Sequence, residues 1–253
     1  MSEKLAVPGV LFVVGLGPGD RALMTGQARQ ALERAEVVVG YRGYLDGLGP
    51  LAEGKALEPA ELGQEVERAE RAVQLAADGK RVALVSSGDA GVYGMASPTF
   101  EAIERRRLAG DPVPEIEVVP GVTAVLAAAA LLGAPLGGDF ACVSLSDRLT
   151  PWELIERRLE AAAAADFVLA LYNPTSRTRQ SRLERAVAVV LRHRAGGTLV
   201  GHVRQAFRSG QTVSIVPLDR VLGESIDMFS LLIVGNSITR CFGERLITPR
   251  GYR

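Results

Sequence analysis

The stretch "VLFVVGLGPGD", residues 10–20, decides the fold class, because an apolar run leads straight into a glycine-rich turn. The run is rich in valine, which is typical of a buried β-strand. Gly15, Gly17 and Gly19 alternate after it, and Thr25 can cap a helix whose apolar residues recur at helical spacing. A strand, a turn and a helix in succession predict one unit of an α/β fold.

The same alternation continues along the chain and predicts two α/β domains. Further apolar runs that predict strands lie in residues 36–40, 81–89, 116–121, 140–146, 167–174, 198–203, 211–218 and 230–238. The last strands follow one another with a "SGQT" turn between two of them, so the later sheet is predicted to be mixed. We place the N-terminal domain in residues 1–134 and the C-terminal domain in residues 135–253.

Two helix starts carry recognisable capping patterns. Ser97 precedes Pro98, which predicts Ser97 as an N-cap and proline at the first helical position. "TPWE", residues 150–153, has the spacing of a capping box.

Composition excludes several function classes. Lys+Arg and Asp+Glu both number 29, which argues against affinity that rests on nucleic-acid phosphates. Two histidines and two distant cysteines make a zinc site improbable, and Cys142 and Cys241 are predicted to be small core residues. Neither a signal peptide nor a membrane span is apparent, so we expect a cytoplasmic protein that makes no membrane contact.

The glycine turn does not fit a phosphate-binding loop. Its glycines follow G-x-G-x-G rather than the G-x-G-x-x-G of dinucleotide folds. Pro18 removes a backbone donor, and Asp20 places a negative charge where an anion would bind. Residues 40–42 follow the second strand without an acid that could bind a ribose, which argues against a dehydrogenase. An uncharged or cationic ligand remains possible.

Three more strand ends carry small and polar residues. These are "SSGDAGVYG", residues 86–94, "VPGVTA", residues 119–124, and "LYNPTS", residues 171–176. Ligands in open α/β sheets bind beyond the carboxyl ends of strands. Together with the first turn, these loops predict a binding cleft between the two halves of the chain.

"GLGPGD", "SSGDAGVYG", "VPGVTA" and "SLLIVG", taken in this order, resemble the tetrapyrrole methylase family over practically the whole chain. The resemblance implies S-adenosylmethionine (SAM) bound in a cleft between two α/β domains of a homodimer, with a tetrapyrrole above it and S-adenosylhomocysteine as product. SAM carries a sulfonium cation and no phosphate, so it tolerates Pro18 and Asp20. "GYRGYLD", "SLSDRLTPWE" and "LYNPTSRTR" are similar to members that methylate precorrin-3B at carbon 17 and contract its ring.

Other functions stay open at this stage. "GYRGYLD" replaces the Asp-Arg pair of uroporphyrinogen-III methylases, which argues against that substrate. Another corrinoid carbon, a cobalt-containing substrate, an rRNA ribose or diphthamide is an alternative within the architecture, and the balanced charge disfavours RNA. A corrinoid-binding protein without turnover is an alternative from another class.

The resemblance also implies site residues. Cofactor contacts fall at Pro18, Ser87, Gly88, Asp89, Val92, Thr123, Ala124, Tyr172 and Ala206. Ring contraction needs a general base and a donor for a departing carboxylate, for which the candidates are His202, Asp20, Tyr93 and Asp147. A polyanionic tetrapyrrole needs cations, and the candidates are Arg148, Arg177, Arg179, Arg204 and Arg208.

Overall fold

The computed structural model describes residues 9–175 and 180–252. The chain forms two compact units, Met1–Thr123 and Ala124–Arg253, which are described separately. The boundary at residue 134 that the sequence predicts falls after the first helix of the second unit. Two predicted substrate-binding residues, Arg177 and Arg179, lie outside the described residues.

The first unit alternates strands and helices, as its apolar periodicity predicts. Its strands are β1 Val10–Gly15, β2 Val37–Tyr41, β3 Ala56–Ala60, β4 Val82–Ser86 and β5 Glu115–Val119. Its helices are α1 Gly26–Arg34, α2 Arg42–Leu45, α3 Glu65–Ala77 and α4 Ala96–Ala109, with short 3-10 helices at Arg21–Leu23 and Asp46–Ala52. Strand β3 was not predicted from the sequence.

The sheet of this unit is parallel, with the strand order β3-β2-β4-β1-β5. Successive side chains of a strand point to opposite sides of the sheet, and helices cover both sides. In β1, Leu11 and Val13 pack in the core formed with α3 and α4, while Phe12 and Val14 pack in the core formed with α1. This burial explains why β1 reads as an uninterrupted apolar run.

The second unit begins with a helix and contains two sheets. Its helices are α5 Ala124–Leu132, α6 Trp152–Ala164 and α7 Gln180–Leu191, with a 3-10 helix at Leu218–Gly223. Its strands are β6 Gly133–Ala134, β7 Phe140–Ser144, β8 Val168–Tyr172, β9 Leu199–Arg204, β10 Thr212–Pro217, β11 Ser230–Val234, β12 Arg240–Phe242 and β13 Arg245–Ile247.

The larger sheet has the order β10-β9-β11-β8-β7 and is mixed, which confirms the prediction. Only the pair of β7 and β8 is parallel among the described strand pairs of this sheet. One face packs on α6 and α7. The other face contacts α5, where a β-carbon on Gly201 of β9 would lie 2.4 Å from the Leu132 side chain.

The smaller sheet has the order β12-β13-β6 and was not predicted from the sequence. Its strands have two or three residues each, too few to show a periodicity. Cys241 lies exposed in β12, so its prediction as a core residue is wrong. Cys142 is half-buried in β7, and this burial raises the pKa of its thiol.

The helix starts predicted at Ser97 and at "TPWE" are displaced in the structure. Helix α4 is capped at Met95, whose amide donates to the Ser86 hydroxyl, so the N-cap prediction for Ser97 is wrong. Helix α6 has Pro151 at its N-cap and no capping hydrogen bond from that side chain, so the capping box is wrong as well. In contrast, the Thr25 hydroxyl accepts from the Ala28 amide and caps α1, as predicted.

Candidate active site

Three loops meet at the carboxyl edge of the first unit's sheet, because β1 lies between β4 and β5 and all three strands are parallel. We call them the β1 loop (16–20), the β4 loop (87–94) and the β5 loop (120–123). Eight predicted site residues lie in these loops: Pro18, Asp20, Ser87, Gly88, Asp89, Val92, Tyr93 and Thr123. The fold therefore brings together residues that are more than 100 positions apart in sequence.

The glycines of these loops permit direct backbone packing. Gly17 donates its amide to the Gly88 carbonyl at 3.0 Å, and the Gly88 amide donates back to the Gly17 carbonyl at 2.7 Å. A β-carbon on Gly121 would lie 2.2 Å from the Gly88 carbonyl oxygen, and one on Gly15 would lie 2.7 Å from the same atom. No side chain fits at either position without movement of the backbone. The glycine pattern at 15–19 therefore serves loop-to-loop packing.

Asp89 ties the β4 loop to the β5 loop. Its Oδ1 accepts from the Gly91 amide at 2.8 Å, and its Oδ2 accepts from the Gly121 amide at 2.9 Å. Each carboxylate oxygen thus holds one backbone donor and keeps a further lone pair for a ligand. Sequence reasoning proposed Asp89 as a ligand contact, and the structure adds a structural role at the same carboxylate.

Asp20 lies exposed at the tip of the β1 loop. Its Oδ1 accepts from the Ala22 amide at 2.8 Å and so caps the 3-10 helix that follows. The cap fixes the direction of the carboxylate, while the exposed side chain stays open to solvent. Of the other predicted site residues in these loops, Pro18 is buried, and Tyr93 is 55% exposed with a positive φ of 54°.

The charge of this edge limits the ligand that it can bind. The three loops contain the carboxylates of Asp20 and Asp89 and, by sequence, no lysine or arginine. A phosphate would meet negative charge and no cationic side chain in these loops. The residues therefore fit a ligand that carries positive charge and no phosphate.

A second group of predicted residues lies at one edge of the second unit's larger sheet. Strands β7, β8 and β9 run in the same direction, since β11 is antiparallel to both β8 and β9. Their carboxyl ends lead into residues 145–151, 173–175 and 205–211. Tyr172 is 9% exposed at the end of β8, and its hydroxyl accepts from the Val125 amide at 3.0 Å. This bond brings Tyr172 to the start of α5, next to Ala124.

The remaining predicted residues at this edge differ in their partners. Asp147 forms an ion pair with Arg182 at 2.5 Å, and the Arg182 guanidinium lies 4.8 Å from the centre of the Trp152 ring. Arg148 is exposed. Ala206 and Arg208 lie half-buried in the turn between β9 and β10, where Gln205 and Phe207 both have positive φ.

His202 lies inside the second unit, below this edge. It is 4% exposed, and its Nε2 lies 3.0 Å from the Ser230 Oγ, while its Nδ1 lies 3.4 Å from Glu224 Oε2. Both ring nitrogens thus have protein partners. Glu224 also accepts from the Ser214 hydroxyl at 2.6 Å, and this bond, followed by the contact with His202, lowers the pKa of Glu224.

Comparison with known proteins identifies the family of this chain. The family described as Tetrapyrrole (Corrin/Porphyrin) Methylases matches residues 10–222. The chain belongs to the tetrapyrrole methylase family. The match includes both groups of loops, and the fold class predicted from sequence is that of the family's solved structures.

Several relatives of this tetrapyrrole methylase have names that specify a reaction. A protein of Salmonella typhimurium named "Probable cobalt-factor III C(17)-methyltransferase" is 44% identical, over 96% of this chain and 99% of the relative. The "Precorrin-3B C(17)-methyltransferase" of Sinorhizobium sp is 39% identical, over 96% of this chain and 97% of the relative.

The chain does not match every relative over its full length. This chain spans 45% of the "Cobalt-factor III methyltransferase" of Priestia megaterium. The two proteins are 42% identical over 97% of this chain. Among solved structures, "Crystal structure of the methyltransferase CobJ" has a TM-score of 0.90 and 42% identity, and the match covers 95% of this chain and 100% of that one.

Sequence reasoning missed several polar residues of the methylase's second unit. Arg204 donates its Nε to Asp227 Oδ2 at 2.8 Å, and Asp227, Glu224 and Ser230 had no predicted role. Residues 223–229 carry no motif, and Ser230 only opens the "SLLIVG" run, so the fold alone reveals that their side chains reach those of β9. Within residues 9–175 and 180–252, no helix is both long and apolar enough to cross a membrane.

Proposed function

We propose that this chain transfers the methyl group of SAM to carbon 17 of a precorrin-3B-type macrocycle and contracts its ring. The observation that carries the proposal is the similarity, over almost their whole length, to two relatives whose names specify carbon 17. The charges of the two edges support it, because SAM is cationic at sulfur and the macrocycle is polyanionic. Carbon 20 leaves the ring as the contraction proceeds.

The first unit's loops supply the SAM contacts in this proposal. When bound, SAM supplies a methyl carbon made electrophilic by the adjacent sulfonium. The backbone of the β1 loop beside Pro18 lies against it, and the free lone pairs of Asp89 accept from its ribose hydroxyls or its amino group. Backbone groups around Thr123 bind the adenine. The resemblance to the family assigns further cofactor contacts to Tyr172, Ala124 and Ala206, which belong to the second unit.

The second unit's arginines bind the substrate carboxylates. Arg148 is exposed and Arg208 half-buried beyond the ends of β7 and β9, and Arg204 ends β9 itself. The guanidinium group presents paired donors that match a carboxylate, so a small number of arginines can orient a polyanion. We include Arg177 and Arg179, which lie outside the described residues, because "NPTSRTR" continues from the end of β8.

Methyl transfer itself requires mainly alignment, because the electron-rich macrocycle is the nucleophile. Ring contraction requires that a hydroxyl proton leaves while a neighbouring lactone opens to a carboxylate. Of the four candidates, Asp20 and Tyr93 are exposed, whereas Asp147 is ion-paired and His202 is buried. We therefore assign the base to Asp20 and the donor to Tyr93.

The proposal is tested by incubating the protein with SAM and either precorrin-3B or its cobalt-containing analogue. The expected result is one added methyl group by mass, a changed absorbance spectrum, and one equivalent of S-adenosylhomocysteine. The preferred macrocycle identifies the physiological substrate. Binding of either macrocycle without S-adenosylhomocysteine would instead establish a binding protein without turnover.

Asp20→Asn tests the acid–base assignment in the same assay. Asparagine is also a good N-cap, so the turn should stay folded. We expect kcat for ring contraction to fall about 100-fold, while the dissociation constant for SAM stays unchanged. An unchanged kcat would exclude Asp20 as the base.

A further inference from the structure

A continuous series of polar contacts joins the buried His202 to the arginine at the end of β9. We call Ser214, Glu224, His202, Ser230, Asp227 and Arg204 the His202 network. The contacts run from the Ser214 hydroxyl to Glu224, then to His202, Ser230, Asp227 and finally the Arg204 Nε. Its elements are β9, β10, β11 and the segment after the 3-10 helix, so all of it lies within the second unit.

The carboxylate of Glu224 determines the tautomer of His202. Glu224 Oε2 accepts from the Ser214 hydroxyl at 2.6 Å, and the lowered pKa of Glu224 keeps it ionised at neutral pH. An ionised carboxylate is an acceptor only, so the His202 Nδ1 beside it carries a hydrogen and donates. With its hydrogen on Nδ1, the neutral His202 ring presents Nε2 as an acceptor toward the Ser230 hydroxyl.

Ser230 contacts both His202 and Asp227. Its Oγ lies 3.0 Å from His202 Nε2 and 3.2 Å from Asp227 Oδ1, and it accepts from the Asp227 amide at 3.2 Å. A hydroxyl has one hydrogen to donate, so it serves either the imidazole or the carboxylate.

Asp227 in turn fixes Arg204. Its Oδ1 accepts from the Phe229 amide at 2.9 Å and from Ser230, and its Oδ2 accepts from Arg204 Nε at 2.8 Å. The guanidinium has further N–H donors besides Nε, which stay available for a ligand carboxylate. Arg204 therefore depends for its direction on a carboxylate that is held by the Phe229 amide and by Ser230, which itself contacts His202.

We propose that Ser230, supported by His202, is a positioning residue that, through Asp227, sets the Arg204 guanidinium for a substrate carboxylate. This inference rests on the proposed function, because it takes Arg204 as a substrate contact. It gives His202 a role that needs no contact with the substrate, in accord with its burial. Glu224 is the charged group that contacts the imidazole, and Asp227 and Arg204 follow it in the network beyond Ser230.

The test is a double-mutant cycle between Ser230→Ala and Arg204→Ala. Ser230→Ala alone should raise KM for the macrocycle about tenfold, equivalent to about 1.4 kcal/mol, with little change in kcat and in the dissociation constant for SAM. In an Arg204→Ala background, the same change should have no further effect on KM, because Ser230 acts through Arg204. Ser230→Thr, which keeps a hydroxyl, should restore most of the affinity.

Thr248→Val is the matched control. Thr248 is buried in the second unit, and its hydroxyl bonds to the Thr239 hydroxyl at 2.8 Å, outside the His202 network. Its replacement should lower the melting temperature without a change in KM. Equal KM effects in Thr248→Val and Ser230→Ala, or additive effects of Ser230→Ala and Arg204→Ala, would overturn the inference.

A crystal structure of Ser230→Ala separates this inference from the proposed function. We expect the Asp227 side chain to turn and the Arg204 contact to Oδ2 to be lost, whatever the enzyme's substrate. If the wild-type protein transfers no methyl group but the contact is lost in Ser230→Ala as expected, the proposed function is overturned and the positioning role is not. Retention of the Arg204–Asp227 contact in the variant overturns the positioning role, even when the wild type turns over.

Discussion

The two units hold their functional edges together by different physical means. In the first unit, loops pack backbone against backbone through Gly17, Gly88 and Gly121, and the three loops contain no lysine or arginine. In the second unit, charged side chains such as Arg204 and Asp227 pair with one another. The formal net charge of zero therefore hides a local difference. The charged side chains of the three loops are carboxylates, whereas the second edge carries charges of both signs.

This difference predicts different sensitivities to mutation. A backbone-packed edge tolerates no added volume, because its contacts cannot repack like flexible side chains. An edge built from charged side chains should keep its fold but lose affinity when a charge is altered. Each of the following variants tests one side of this comparison.

The largest effect is expected from Gly121→Ala. The new methyl group would overlap the Gly88 carbonyl, at 2.2 Å, and the Gly15 backbone, at 2.7 Å. We expect a loss of about 3 kcal/mol in the free energy of unfolding, with SAM binding lost as the three loops separate. Urea denaturation and calorimetric titration with SAM measure the two effects.

Gly26→Ala is the control for this variant. Gly26 begins α1, and a β-carbon there would meet no atom within 4 Å. Alanine favours the helix, so the free energy of unfolding should be unchanged or rise by a few tenths of a kcal/mol. If Gly121→Ala behaved like Gly26→Ala, the loops would not be packed as described.

Asp89→Ala should have the next largest effect, and on both quantities. Its removal leaves the amides of Gly91 and Gly121 without their acceptor, at a cost of about 2 kcal/mol in unfolding free energy. SAM binding should be abolished in calorimetry. Asp111→Ala, at an exposed loop residue of the same unit, should change neither. Unchanged SAM affinity in Asp89→Ala would remove Asp89 from the cofactor site.

Charge reversal at the second edge should alter affinity and leave stability intact. Arg148→Glu replaces an exposed cation and should weaken macrocycle binding about tenfold, with the SAM affinity and melting temperature unchanged. The loss should diminish at high salt, because exposed charges are screened. Arg158→Glu, on the exposed face of α6, is the matched control. Arg177→Glu should act like Arg148→Glu.

The fold of both units could largely be predicted from sequence. Valine-rich runs and helical stripes are local signals, and β1 and α1 appear where those signals place them. Helix starts were less predictable. The N-cap of α4 is Met95, and its amide donates to the hydroxyl of Ser86, which lies in a different element. The strands β12 and β13 are stabilised by pairing rather than by a pattern of their own.

The candidate site was predictable only in part. The loops stood out because glycine and polar residues interrupt apolar runs, and Asp89 and Tyr172 lie in or beside them. The partners of these residues were not visible, since the Gly121 amide and the Val125 amide meet them only through the tertiary fold. For the same reason, the sequence singled out His202 but did not show that Ser230 and Glu224 are its partners.

The smallest expected effect is a pH-dependent one at Glu224, and it tests the claim that side-chain charges hold the second edge. The Ser214 hydroxyl is the main cause of the lowered pKa of Glu224, ahead of His202. A carboxyl with a lowered pKa in the folded state stabilises the fold above its unfolded pKa, near 4.5, and this contribution disappears as the pH falls through the folded value. Ser214→Ala should therefore lower the free energy of unfolding by about 1 kcal/mol at pH 7, and the deficit should shrink toward pH 3.

Urea denaturation at several pH values measures this difference. A deficit that is equal at pH 7 and pH 3 would show that Ser214 contributes packing alone, and that the ionised Glu224 has no part in holding the network below the edge.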